Sequence, residues 1–302
     1  MRRREILGLF GSLPLLAGAV KPKLSVFTKH LQFLQGEALA DAIANIGFDG
    51  ADVALRKGGN IEPENAKTQF PALVKALRAR NVDVPMITSG IVDADTPLAE
   101  STIAVLHDQG IKYYRWGGFR YDYAKPLQAQ LDALKPRVEK LAALNRKYGV
   151  TAIYHTHSGL NQVGANIWDI YDVVRPFDPR EVAINYDVGH ATVEGGFGGW
   201  INSFHVANKH IRGIALKDFI WTRDPKANNA PRPKWCPVGE GQVQFPLFFD
   251  MMAKSGFDGP LQVHYEYSLG GAESGKTAIS IPPEQVFAAM QKDLAAIRNW
   301  MR

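Results

Sequence analysis

The stretch GVTAIYHTHSG, Gly149 to Gly159, sets five mostly apolar residues ahead of two histidines and a Ser-Gly stop. An apolar run this short, bounded by turn residues, reads as a strand covered on both faces. Residues two apart on a strand share a face, so His155 and His157 leave its C-terminal end side by side. A helical pattern over 126–148 precedes the run and another near 164–174 follows it. The alternation continues in both directions. Upstream lie strands at 23–27 (KLSVF), 50–55 (GADVAL), 83–89 (DVPMITS) and 111–116 (IKYYRW), with helices at 36–47, 70–80 and 97–109. Downstream lie strands at 182–188 (VAINYDV), 211–219 (IRGIALKDF) and 260–267 (PLQVHYEY), with helices near 197–208, around 245–255 and at 283–300. Eight strand–helix units predict an α/β chain forming one (β/α)8 TIM barrel over residues 23–302. A doubly wound sheet is the alternative, but no glycine fingerprint follows the first strand. Segment 220–241, rich in Pro, Lys and Asn, reads as a long loop on the barrel rim.

A length of 302 residues with 46% hydrophobic composition suits one large core. The net charge is +5, and the first nineteen residues carry three Arg and one Glu of it, leaving about +3 without them. That is too little for a nucleic-acid binder, and no basic stripe with interleaved aromatics is present. The opening MRRREILGLFGSLPLLAGAV combines a basic start, an apolar stretch from Ile6 to Leu16 and small residues at Ala17–Ala19. It reads as a signal peptide over residues 1–19, too short for a membrane span, and Arg3-Arg4 followed by Glu5-Ile6-Leu7 resembles the twin-arginine export signal. Export to the periplasm is the expectation; an ordinary basic N-terminus on a cytosolic protein is the alternative. Cys236 is the only cysteine, so no intrachain disulfide can form.

In a barrel the strand C-terminal ends form the functional face, and there the polar residues collect. Candidate substrate-binding residues are Lys29 and His30 after the first strand, Arg56 after the second, Arg115 with Trp116 at the fourth, and His264 at the eighth. His155 and His157 end the fifth strand, Asp187 and His190 the sixth, Lys217 and Asp218 the seventh, and Glu266 the eighth. His155 alone would pass for a satisfied interior histidine. Asp187 could equally cap a glycine turn in YDVGHATVEGG, and Lys217 with Asp218 could be a surface ion pair. Together at one rim, His155, Asp187 and Glu266 point to a metal or acid/base site. An unpaired Glu266 on a strand covered on both sides would be costly, so it needs a cation or a donor.

These residues carry a resemblance. YHTHSG, YDVGHATVEGG, LKDF, VGEGQVQF and VHYEY, in that order on strands five to eight, resemble the sugar phosphate isomerase/epimerase group with the xylose isomerase-like TIM barrel. That superfamily also includes inosose dehydratases and endonuclease IV-type enzymes. The resemblance covers about residues 23–300 and implies one divalent metal held by a Glu on strand five, an Asp on six, a His on seven and a Glu on eight. Asp187 and Glu266 match. His155 stands in place of the first Glu, and Ala215, two residues before Lys217, in place of the His. A ligand set of His155, Asp187 and Glu266, mixing imidazole and carboxylates, favours Mn, Co, Zn or Fe over Mg or Ca.

The resemblance implies removal of a proton next to a carbonyl of a small-molecule sugar or glycoside, hence an isomerase or epimerase. With His155 where a second carboxylate base would sit, a lyase that expels the aglycone of a 3-oxo-glycoside, or a sugar dehydratase, is the alternative. His157 is the expected general base, with Lys217 or His190 as its acid partner. A barrel that binds sugars without turning them over, or one that forms homo-oligomers, is compatible with the same residues. The rich metal-ligand set of the phosphodiester-cleaving relatives is absent.

Overall fold

The computed structural model describes residues 22–301; the signal-peptide reading falls on residues outside these. In chain order the elements are β1 (Leu24–Phe27), α1 (Gly36–Ile46), β2 (Gly50–Leu55), α2 (Ala66–Arg78), β3 (Asp83–Ser89), α3 (Ala99–Asp108), β4 (Tyr113–Trp116), α4 (Leu127–Tyr148), β5 (Thr151–His155) and α5 (Ile167–Val174). There follow β6 (Val182–Asp187), α6 (Val188–Gly195), α7 (Gly199–Ala207), β7 (Ile211–Leu216), β8 (Asp218–Asp224), β9 (Ala230–Cys236), α8 (Phe245–Ser255), β10 (Leu261–Val263) and α9 (Pro283–Trp300). Strands β1 to β7 and β10 pair in parallel and close into a barrel, with β10 between β7 and β1. This is the predicted single-domain architecture. Among the described residues no helix is long and apolar enough to cross a membrane.

Both faces of the strands are buried, which is why their sequences are apolar runs. Outward residues pack on the helices; α4, for example, presents Leu131, Leu134, Val138 and Leu141 at helical spacing. Inward residues, two apart on each strand, change character along the barrel. At its floor Met86, Tyr113, Ile153 and Ala183 form a separate apolar cluster. The next inward pair is polar: Asn185 and Gln262 exchange hydrogen bonds across the lumen at 3.0 and 3.1 Å. Gly213 permits this, since a Cβ there would lie 2.8 Å from Asn185 Oδ1. Above that layer the inward positions carry His155, Asp187, Lys217, His264 and Glu266.

Three expectations change. The rim segment 220–241 is largely an antiparallel hairpin of β8 and β9, registered from Asp218 opposite Cys236 to Asp224 opposite Ala230. Its Pro and Asn content suits an exposed two-stranded ribbon with a tight turn at Asn228 and Asn229, both at positive φ. β7 ends at Leu216, so Lys217 leaves the sheet into the mouth while Asp218 opens the hairpin. The helix expected near 197–208 is α7; ahead of it an unexpected helix, α6, begins directly after β6. Asp187 Oδ1 accepts from His190 N–H at 2.9 Å and caps it. Glycines at 189, 195, 196, 198 and 199 gave this segment the look of a turn.

Candidate active site

The C-terminal mouth is organised around one side chain. Lys217, with 2% of its side chain exposed, places Nζ 2.6 Å from His190 Nε2, 3.1 Å from Asp187 Oδ2 and 3.2 Å from Glu266 Oε2. The Trp235 ring, from the hairpin, covers it at 4.3 Å. Gly189 makes the room: a Cβ there would lie 2.8 Å from both Lys217 Cγ and the Lys217 carbonyl oxygen. Glu266 thus has the cation its position demanded. Asp218, the neighbour of Lys217, turns the other way. Its carboxylate accepts from the backbone N–H groups of Phe219, Gly239, Gly241 and Val243, pinning the VGEGQV loop.

Burial pushes the Asp187 carboxyl up to about 6, against the pull of Lys217. Glu266 is also pushed up by desolvation, but Lys217 and Lys29 outweigh it and hold the group down at about 2. Burial, reinforced by the surrounding cations, keeps His155, His190 and His264 well below the ordinary imidazole value and therefore neutral. His30 is lowered in the same way, and His157 too, by burial and then by Lys217.

Neutral imidazoles have one donor and one acceptor nitrogen, and the neighbours assign them. His157 Nδ1 lies 2.8 Å from the Ser158 carbonyl, which can only accept, so Nε2 carries the free lone pair. His190 Nε2 faces the ammonium, so its Nδ1–H donates to Ser158 Oγ at 2.7 Å. The His157 and His190 rings lie 3.9 Å apart. His155 Nδ1 faces the Asn185 side-chain N–H at 3.1 Å, leaving Nε2–H directed at Asp187 Oδ2, 3.5 Å away. His30 Nε2 accepts from Tyr265 N–H. Among the described residues, both ring nitrogens of His264, and Nδ1 of His30, are buried without partners.

One cavity at the mouth is lined by Arg56, Arg115, Trp116, His155 and His157. Burial lowers the Arg115 guanidinium to about 10, leaving it charged at neutral pH. Neither Arg56 nor Arg115 has a carboxylate partner at ion-pair distance among the described residues. Beside them Asp52 is fully buried, and desolvation raises it to about 7. Trp116 is a buried wall whose Nε1 has no partner among the described residues. Lys29 and His30 flank the first strand end, with Lys29 over the Phe27 ring. A second, wider cleft runs outward from His157, Ser158 and His190 between Tyr121, Tyr123, Leu160, Trp221 and Trp235. Sequence reasoning missed Ser158, Asn185 and Gln262, which sit on or beside inward strand positions where the period of two could have flagged them. Trp235 reads from sequence as an apolar face for a sugar, and nothing local in the hairpin announces that it covers Lys217.

His155, Asp187 and His190 offer ligand atoms within 4.8 Å of one another, the one such triplet among the described residues. Glu266, expected as a ligand, is not in it; Lys217 holds it instead. The donor states do not match a metal ion. His190 Nε2 and Asp187 Oδ2 face the ammonium, and His155 presents a hydrogen at Nε2 rather than a lone pair. A dication bound to these atoms would lie about 3 Å from Nζ, a repulsion on the order of 10 kcal/mol at an effective dielectric of about 20. The buried Ala215 methyl replaces the remaining imidazole.

Solved structures that resemble the chain include three with different activities or ligands in their descriptions. The 3-keto-D-glucoside 4-epimerase YcjR from E. coli has 14% identity and a TM-score of 0.67, over 92% of this chain and 100% of its own. The probable 3-DHS dehydratase AsbF from Bacillus anthracis has 14% identity and a TM-score of 0.65, over 90% and 98%. IolI, with a bound zinc atom, has 14% identity and a TM-score of 0.68, over 92% and 99%. At such identity the likeness is one of fold. A search of curated proteins gives no match. The Xylose isomerase-like TIM barrel family model matches residues 40–292, and the chain belongs to that family.

Proposed function

We propose that this chain is a carbohydrate enzyme that removes a proton from a carbon next to a carbonyl, as an isomerase or epimerase. The observation that carries the reading is a single cavity containing both a base and an electrophile. His157 offers Nε2 as an unprotonated lone pair near neutral pH, and Arg115 offers a charged guanidinium with no carboxylate at ion-pair distance among the described residues. His157 Nε2 takes the proton, the C–H pair becomes a C=C bond, and the carbonyl pair moves to oxygen as an enolate facing Arg115. Returning the proton to the other face epimerises the carbon, and returning it to the neighbouring carbon isomerises the sugar. Epimerase and dehydratase activities among the fold relatives support this chemistry. The divalent ion expected from the family resemblance would need Lys217 to withdraw from Asp187 and His190, so no step is routed through it.

The outer cleft favours a second outcome, elimination. Its aromatic walls, with Tyr123 and Trp221 well exposed, suit the aglycone of a glycoside. His155 is tied to Asn185 and Asp187, so no second carboxylate base stands at the fifth strand. The Ser158 hydroxyl, relieved of donating to His190, can donate to a leaving oxygen. Incubation with ketoses and with 3-oxo-glycosides in deuterium oxide tests the reading. Deuterium gain at carbon reports enolisation and aglycone release reports elimination; neither signal across the panel would leave a sugar-binding barrel.

A further inference from the structure

We propose that the ammonium of Lys217 permanently fills the point that Asp187, His190 and Glu266 would otherwise share with a divalent ion, so that this centre is complete without a metal. A lysine ammonium has three donors and no acceptor, and three buried or half-buried acceptors surround this one at 2.6, 3.1 and 3.2 Å. Two are carboxylates on different elements and the third is an imidazole nitrogen, the donor set a first-row dication takes. The lysine is held there by the surrounding fold. Gly189 leaves space for its Cγ, and the Trp235 ring closes over Nζ. The position two residues earlier, Ala215, contributes only a methyl.

His155 fits the same arrangement. With the Asn185 N–H donating to Nδ1, its hydrogen sits on Nε2, 3.5 Å from Asp187 Oδ2. Turning the Asn185 and Gln262 amides over together would keep their mutual bonds, free Nε2 as a lone pair and recreate a metal ligand. Lys217 is therefore a positioning residue: it neutralises Asp187 and Glu266, and by occupying His190 Nε2 it fixes the hydrogen on Nδ1, toward Ser158. The inference deepens the functional reading and rests on it for any effect on turnover, but not for metal binding.

The test titrates Mn²⁺, Co²⁺ and Zn²⁺ calorimetrically into chelator-stripped wild-type protein and into Lys217→Met. The wild type should show no one-to-one binding, and EDTA should leave its deuterium exchange unchanged. Lys217→Met frees the three acceptors at similar volume and should gain one equivalent of metal; adding Ala215→His should tighten that site. One tight equivalent of metal in the wild type, or no gain in a folded Lys217→Met, would overturn the proposal. If Lys217→Met does not fold, the wild-type titration decides alone. A wild type that binds no metal and exchanges no deuterium with any sugar refutes the functional reading while upholding the role of Lys217.

Discussion

Nζ of Lys217 lies 2.6 Å from Nε2 of His190, and that bond has a direction. Lysine can only donate there, so His190 must accept at Nε2 and donate at Nδ1. The hydrogen goes to Ser158 Oγ, whose own hydrogen is left to point toward the outer cleft. A buried charge thereby sets the polarity of a serine at the mouth. The relay depends on Lys217 reaching the mouth, and Gly189 is what admits it.

Gly189→Ala is expected to lower stability by about 1–3 kcal/mol, the usual cost of forcing atoms into a packed site. The added methyl would sit 2.8 Å from Lys217 Cγ and from its carbonyl oxygen, and backbone yields less readily than a side-chain tip. Urea denaturation midpoints measure this. A variant as stable as the wild type would show that Lys217 has more room than its geometry indicates.

Asp218→Ala should destabilise by about 3–5 kcal/mol, because four backbone N–H groups lose one shared carboxylate. Asp218→Asn keeps an acceptor and should cost less. Limited proteolysis should then cut the 237–243 loop first in the alanine variant. Equal stability of both variants and the wild type would argue against the anchor.

The barrel was legible because its signal is repetitive: eight short apolar runs at regular spacing leave few alternative folds. β2 and β3 fall on residues 50–55 and 83–89, as their sequences indicate. The rim was legible residue by residue, since period two places His155, Asp187 and Glu266 at one end. What they contact was not legible. A motif assigns Lys217 to a strand end, but whether its Nζ meets substrate, solvent or Asp187 depends on Gly189 from another element and Trp235 from a hairpin. The hairpin itself was hidden by its Pro and Asn content, which reads as loop whenever both strands are exposed.

Asp52 gives a pH dependence with a definite sign. Its folded-state value is raised by burial to about 7, against Thr88 and the charges of Arg115 and Arg56, while the unfolded chain ionises in the ordinary carboxylate range. Below about pH 4 both states hold the proton and the group contributes nothing. Between about pH 4 and pH 7 only the unfolded state releases it, so stability falls as pH rises, by up to about 4 kcal/mol in total. Asp52→Asn should track the wild type near pH 3.5 and exceed it at pH 8. A stability difference that does not change with pH would remove Asp52 as the source.

For the first nineteen residues we propose cleavage after export, with the mature chain starting near Val20. Intact-mass measurement on periplasmic material checks it. Recovery of the protein only from the cytoplasm, with Met1 to Ala19 attached, would defeat the proposal.

The assignment of the base turns on the difference between two adjacent imidazoles. His157 and His190 are 3.9 Å apart and both neutral, but only His157 has a nitrogen lone pair not already engaged, because His190 Nε2 is taken by Lys217. His157→Ala should lower kcat for proton exchange by roughly 10²–10⁴-fold, the usual worth of a general base, with folding and KM little changed. His190→Gln, by contrast, should act through Ser158: it should slow release of a poor leaving group more than of a good one, and leave deuterium exchange at carbon largely intact. Arg115→Lys keeps charge but loses the planar fork, and should depress exchange for every substrate alike. If His157→Ala exchanges at the wild-type rate while His190→Gln does not, the roles are reversed. The lone pair on Nε2 of His190 would then have to come free during turnover, which requires Lys217 to let go of it.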